Sequence, residues 1–351
     1  MDIQALLQEA VARGASDLHL SAEMPPMLRL DGRLEACGSD ALTAAATRQM
    51  LAALLPDEAQ RAQFDARGEA DFAYSVAGLG RFRVNAYRQR GSVALAIRLI
   101  PHVVPTLQQL RLPPVVADLA SRGHGLLLVT GPTGSGKSTT LAAVIDHINR
   151  SRSCHIITLE DPIEYLHRHN RSIVNQREIG IDCASFGQAL RAALRQDPDV
   201  ILVGELRELE TIQTAVTAAE TGHLVLGTLH ASTSSQTVDR LVDVFPPHQQ
   251  EQVRTQLAAT LQGIVAQRLL PRLAGGRTAA YEVLVATPAV RNLIREAKTH
   301  QIPTLIQTGA RFGMRSMDAA LRELVEAREI AAEELERWRQ DAGLSGLEAG
   351  R

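Results

Sequence analysis

The sequence predicts an α/β protein of two domains: a small α+β unit over residues 1–100 and a larger P-loop unit with a mostly parallel sheet over 118–338. Three observations predict it. An apolar run, Leu126 to Val129, ends in Gly131-Pro132-Thr133-Gly134-Ser135-Gly136-Lys137-Ser138, the spacing of a phosphate-binding loop between a strand and a helix. Further apolar runs at His155 to Leu159, Val200 to Val203 and Leu224 to Thr228 alternate with helical stretches, the pattern of a parallel sheet. Before them, strand-like segments separated by Gly78, Gly80 and Gly91 have no such alternation and read as a domain of their own.

Taken in order, Leu6, Leu7, Ala10 and Val11 place an opening helix, and Gly14 to Leu20 turns into a strand. Met27 to Leu34 alternates around Asp31-Gly32, a hairpin signal. A helix from Ala44 to Leu55 stops at Pro56, and Asp71 to Val76, Arg81 to Tyr87 and Val93 to Leu99 are strands. Pro101, Pro105, Pro113 and Pro114 make residues 101–117 a semi-rigid linker. Past the glycine loop, Thr139 to Asn149 carries Leu141, Val144, Ile145 and Ile148 and reads as the helix whose positive N-terminus holds an anion. The C-terminal third reads as helical. Thr287-Pro288 supplies an N-cap and a first-turn proline ahead of Val290, Leu293, Ile294 and Ala297, and Ser316 caps a helix with Leu321, Leu324 and Val325. Residues 339–351 read as a disordered tail.

Composition narrows the function classes. With 37 Lys plus Arg against 39 Asp plus Glu, the net charge of −2 gives no global pull on nucleic acid, and 3% aromatic residues offer little base stacking. The three cysteines, Cys37, Cys154 and Cys183, are far apart and form neither a disulfide framework nor a zinc knuckle. No apolar run approaches the roughly 18 residues that span a bilayer, so the chain is expected to be soluble and cytoplasmic.

The loop motif assigns roles by chemistry. Residues Gly131, Pro132, Thr133, Gly134, Ser135, Gly136, Lys137, Ser138 and Thr139 form the nucleotide cradle, with Lys137 on the β- and γ-phosphates and Ser138 offering an oxygen to Mg²⁺. Hydrolysis needs acids nearby. The strand Val200 to Val203 delivers Glu205 at its carboxyl end as a metal ligand, a water-orienting group or both, although Gly204 stands where an aspartate is usual. Glu160-Asp161-Pro162-Ile163-Glu164 follows a second strand, and Glu160 and Glu164 are chosen as its catalytic carboxylates. Thr228 and His230 end a third strand, placed to sense a γ-phosphate. In the first domain Arg81, Arg83 and Asn85 share one strand face. Transferring phosphoryl charge is commonly met by a neighbour's arginine, worth about 10³ to 10⁵ in rate, so Arg81, Arg83 and Arg98 are candidates if the protein is a ring.

Assembled, the chain resembles the secretion ATPase superfamily and, within it, the retraction ATPases of bacterial type IV pili. Gly14 to Leu20, Arg81 to Asn85, Gly131 to Thr139, Thr158 to Glu164, Val203 to Thr211, Ala219 to His230 and Ala289 to Glu296 carry the resemblance. It implies a homohexamer with a PAS-like N-terminal domain and a RecA-like ATPase domain, ATP and Mg²⁺ as cofactors, and arginines reaching in from the adjacent subunit. Its implied partners are an inner-membrane pilus platform protein (PilC-like), a PilU-like paralogue and the pilus-assembly ATPase. Its implied place is cytoplasmic, peripheral to the inner membrane at the pilus base. Ala289 to Glu296 resembles the segment the family needs for retraction, and its residues Arg291, Arg295 and Glu296 are expected to be free for a partner. Two departures stand out: Gly-Glu-Leu-Arg-Glu replaces the usual Gly-Glu-Met-Arg-Asp after Val203, and the absence of cysteine beyond Cys183 argues against the zinc-bearing extension ATPases. The alternatives are a PilU-like accessory retraction ATPase and a RecA-like nucleic-acid translocase.

Overall fold

The computed structural model describes residues 2–30, 32–100 and 103–341, and the chain divides into two compact units between Val103 and Val104. The first contains α1 (Ile3–Ala12), β1 (Asp17–Leu20), β2 (Met27–Leu30), β3 (Arg33–Ala36), α2 (Ala44–Leu54), α3 (Glu58–Arg67), β4 (Glu69–Val76), β5 (Gly80–Gln89) and β6 (Ser92–Ile100). Its six strands make one antiparallel sheet in the order β3-β2-β1-β6-β5-β4. Alternation along β5 buries Phe82, Val84 and Ala86 and leaves Arg81, Arg83 and Asn85 together on the other face. Leu6 and Leu7 of α1 and Met50 and Leu54 of α2 join Leu18, Phe82, Val84 and Ile97 in one apolar core. Each such buried Leu or Phe contributes about 1.5–3 kcal/mol.

Local differences from expectation have local causes. Val11 is exposed, because the buried stripe of α1 is Ile3, Leu6, Leu7 and Ala10. The β2–β3 hairpin forms with Leu30 opposite Arg33, while Asp31 lies outside the described residues. Helix α3 had no periodic signal because it buries only Phe64. Its ends were readable: the Asp57 side chain accepts from Ala59 N–H and Gly68 closes it in the left-handed conformation.

The second unit contains α4 (Val115–Ala120), β7 (Gly125–Thr130), α5 (Lys137–Ser151), β8 (His155–Glu160), β9 (Ile173–Glu178), α6 (Phe186–Ala193), β10 (Val200–Val203), α7 (Leu209–Glu220), β11 (Leu224–Leu229), α8 (Ser234–Asp243), α9 (Pro247–Thr260), β12 (Leu261–Pro271), β13 (Arg277–Val285), α10 (Pro288–Arg295), α11 (Ile302–Thr308), α12 (Met317–Glu326) and α13 (Ala332–Asp341). Its seven strands run β13-β12-β7-β11-β10-β8-β9, parallel except for the β12–β13 hairpin. Strands β7, β10 and β11 are buried along their whole length, as continuous apolar runs in a parallel sheet should be. Register sets the functional edge. Thr130 lies opposite Leu229, and Val203 lies opposite both Gly227 and Leu159, so β7, β11, β10 and β8 end together.

Three expectations are corrected here. The stretch after Val104, expected as part of a linker, belongs to the second unit: Leu107 and Leu112 are buried in its core and Val115–Ala120 is helical. Pro101 lies outside the described residues. The C-terminal third is not all helix, because β12 follows α9 at Leu261 without a turn residue and its apolar run reads as more helix. Finally, α13 carries residues 339–341 of the expected tail and places Trp338 against the cluster of Leu270, Met317, Leu321 and Leu335, while 342–351 lie outside the described residues.

Candidate nucleotide-binding site

The loop at Gly131–Ser138 leaves β7 and enters α5 with Gly134 and Gly136 in the left-handed region, at φ 78° and 87°. Lys137, the first residue of α5, is buried, and its Nζ donates to Gly131 O at 2.9 Å and Pro132 O at 3.0 Å. Burial lowers the Lys137 pKa, and the carboxylates of Glu205 and Glu164 act in the opposite direction. Ser138 and Thr139 sit half-buried in the first helical turn, and the Thr139 hydroxyl meets Tyr165 OH at 3.0 Å. Pro132, Thr133 and Gly134 are exposed, whereas Ser135 is buried with its Oγ unpartnered. Backbone N–H groups at a helix N-terminus, a buried lysine and a hydroxyl are the parts of an anion cradle.

Glu205 lies two residues past the end of β10, and its Oε1 stands 3.5 Å from His230 Nε2 just after β11. Burial lowers the His230 pKa, Lys137 adds to the lowering, and Glu205 opposes it. The result favours a neutral ring at neutral pH. A Cβ on Gly204 would lie 3.1 Å from Leu159 O and 3.4 Å from Glu160 Cα. A side chain at this position would press on the backbone of β8. Thr228, expected as a phosphate sensor, is turned elsewhere: its hydroxyl donates to Gly204 O, and its carbonyl accepts from Leu206 N–H at 2.9 Å. It braces the segment that presents Glu205.

The two acids of the Pro162 turn separate. Glu164 is exposed and acts on Lys137, whereas Glu160 accepts from Thr158 Oγ1 at 2.6 Å, Gln176 Nε2 at 3.1 Å and the Glu164 N–H. Burial is the largest influence on Glu160 and raises its pKa. Lys137, Glu205, Glu164 and His230 are thus electrostatic neighbours, and Glu160 staples the turn that carries Glu164. Gln176 also donates to Tyr165 O at 2.8 Å. Tyr165 and Gln176 were not anticipated, since neither has a motif.

Arg81, Arg83 and Arg98 lie in the first unit and the phosphate loop in the second. Arg83 Nε stands 3.6 Å from Asp71 Oδ1, and Arg98 Nε donates to Asp17 Oδ1 at 3.0 Å. In α10, Thr287 caps the helix and Val290 and Ile294 are buried, as expected. Arg291 is not free. Its Nε donates to Ala286 O at 3.1 Å and its Nη1 to Ala258 O and Ala259 O, the latter at 2.7 Å, closing the carbonyl end of α9. Glu296 is likewise engaged, with Lys298 Nζ and Asn292 Nδ2 each at 2.8 Å, while Arg295 is exposed.

A parallel sheet with a glycine loop at the end of β7 and acids at the ends of β8 and β10 defines a P-loop nucleotide-binding protein of the α/β class. The family described as Type II/IV secretion system protein matches residues 1–275. The chain belongs to that family. It is 48% identical over 325 residues to the type IV pilus retraction ATPase PilT of Pseudomonas aeruginosa, covering 93% of this chain and 94% of that one. The type IV pilus ATPase PilU of the same organism is 42% identical over 335 residues, covering 95% and 87%. The crystal structure of the pilus retraction motor PilT with bound ADP matches with a TM-score of 0.90 at 49% identity over 96% of each chain.

Proposed function

We propose that the chain is a motor ATPase of the type IV pilus machine, a homohexamer that hydrolyses ATP and uses the turnover to draw pilin subunits out of the pilus base. One observation carries the reading: Lys137, Glu205, Glu164 and His230 converge beside the Gly131–Ser138 loop. The near full-length similarity to a retraction ATPase supports the direction of work. The higher identity to PilT than to PilU favours the principal retraction motor over an accessory one.

In this reading the loop N–H groups cradle the phosphates, and Lys137 leaves its contacts with Gly131 O and Pro132 O to meet the β- and γ-phosphate oxygens. Ser138 and Glu205 offer hard oxygen donors that fit Mg²⁺, which when bound neutralises charge on those phosphates. Glu205 and Glu164 orient the attacking water and take its proton, with Glu160 positioning Glu164. His230 senses the γ-phosphate and passes its loss to α8. Arg81, Arg83 or Arg98 of a neighbouring subunit meets the charge of the transferring phosphoryl group.

Among the described residues no helix is long and apolar enough to cross a membrane. The proposed place is the cytoplasmic side of the inner membrane, docked on a PilC-like platform protein. Deleting the gene tests the direction of work: surplus surface pili with no twitching is expected, restored by the wild-type gene but not by Lys137→Ala. Loss of surface pili would contradict retraction.

A further inference from the structure

Gln267 lies on β12, one residue past the point where Ala266 stands opposite Thr130 of β7. It is buried, and both ends of its carboxamide are used. Nε2 donates to Ser135 O at 2.5 Å, and Oε1 accepts from Thr140 Oγ1 at 2.7 Å. These partners flank Gly136 and Lys137, one in the glycine loop and one in the first turn of α5. The loop also closes tightly on this residue. A Cβ on Gly136 would stand 2.9 Å from Gln267 Nε2, and one on Gly131 would stand 2.3 Å from Gln267 O.

We propose that Gln267 is a positioning residue for the nucleotide phosphates, clamping both sides of the Gly136–Lys137 turn from the neighbouring strand. The reason lies in peptide geometry. In a planar trans peptide the C=O and the next N–H point in opposite directions, so holding Ser135 O against Gln267 turns the Gly136 N–H away from β12 and toward the cradle. The Thr140 bond fixes the start of α5 at the same distance from β12. A carboxamide suits this place because it donates on one side and accepts on the other. An ionised carboxylate has no donor for Ser135 O, and leucine has neither group. The sequence signal is a Gln, followed by Arg268, that interrupts the apolar residues Ile264 to Ala266 and Leu269 to Leu270.

This inference rests on the nucleotide-binding reading, and binding separates the two. Titrating full-length wild-type protein, Gln267→Leu and Gln267→Glu with fluorescent ADP from pH 5.5 to 8.5 gives affinities to be expressed relative to wild type at each pH. Lys137 and His230 are common to all three and cancel in the ratio, while Tyr281, which faces Thr140, is pushed up to about 12 by burial and stays neutral throughout. Gln267→Leu should bind ADP about tenfold more weakly at every pH, the loss expected for a severed buried hydrogen bond. Gln267→Glu should be weak at pH 8.5 and recover toward wild type as the pH falls, because its protonated carboxyl regains a donor, a recovery that packing alone does not produce. Both variants within twofold of wild type throughout, or a Gln267→Glu ratio that does not change with pH, would overturn the role of Gln267. Failure of wild type to bind ADP would instead overturn the nucleotide reading itself.

Discussion

Replacing Thr228 by valine removes one hydroxyl and keeps the shape of a fully packed strand end. That hydroxyl donates to the carbonyl of Gly204, the residue immediately before Glu205, and Thr228 is 5% exposed, so water does not readily replace it. An unpaired buried acceptor costs about 1–3 kcal/mol. Part of the cost appears as lost stability, and part is relieved if the strand end shifts to find another donor, which moves Glu205. Since about 1.4 kcal/mol is tenfold in rate, the whole cost would be about 5- to 150-fold, and the part that reaches Glu205 should lower kcat for ATP several-fold within that ceiling. KM for ATP should change little, because Lys137 and the glycine loop keep their contacts. Steady-state phosphate release by purified Thr228→Val, Thr228→Ser and wild type is the assay. Serine keeps the hydroxyl and should restore most of the rate. A valine variant within twofold of wild type in kcat, or a serine variant as slow as valine, would refute the bracing of Glu205 by β11.

Two further outcomes follow from other parts of the second unit. Burial lowers the His167 pKa from 6.5 to about 4, against a weaker opposing effect of Asp146. Below pH 6.5 the unfolded chain takes a proton that the native ring refuses, so its stabilising contribution is present above that pH and is lost as the pH falls toward 4. Denaturant unfolding at pH 7.5 and pH 5 should show wild type losing about 2 kcal/mol more than His167→Gln, and equal losses would contradict the buried neutral ring. Arg291→Lys replaces a three-carbonyl clamp with a single ammonium, so the melting temperature should fall by a few degrees, about 1–2 kcal/mol. An unchanged melting temperature would show that the C-terminus of α9 does not depend on this side chain.

Much of the molecule was legible because its signals are local. The glycine loop, the strand ends at Glu205 and His230, and the caps Thr287 and Ser316 each depend on residues within a few positions of one another, and the structure has them where the sequence put them. What escaped is non-local. Arg291, read as free from its helix face, reaches carbonyls about thirty residues upstream. Gln267 and Ser135 are 132 residues apart. Glu282 looks like one charge in an apolar strand. In the structure it is buried, accepts from Ser234 N–H at 2.9 Å and Ser234 Oγ at 2.8 Å, and also receives the Met317 N–H, joining the starts of α8 and α12. Burial raises its pKa, and helix N-termini are favourable partners for its ionised form. No spacing rule reaches such partners, because the fold alone brings them together.

The account stands most directly on turnover and binding measured side by side in Glu205→Gln. The carboxylate is placed beside Lys137 and His230 without holding the loop itself, so the variant should bind ATP within a few-fold of wild type and release almost no phosphate. Phosphate release within a few-fold of wild type would contradict hydrolysis at this edge of the sheet.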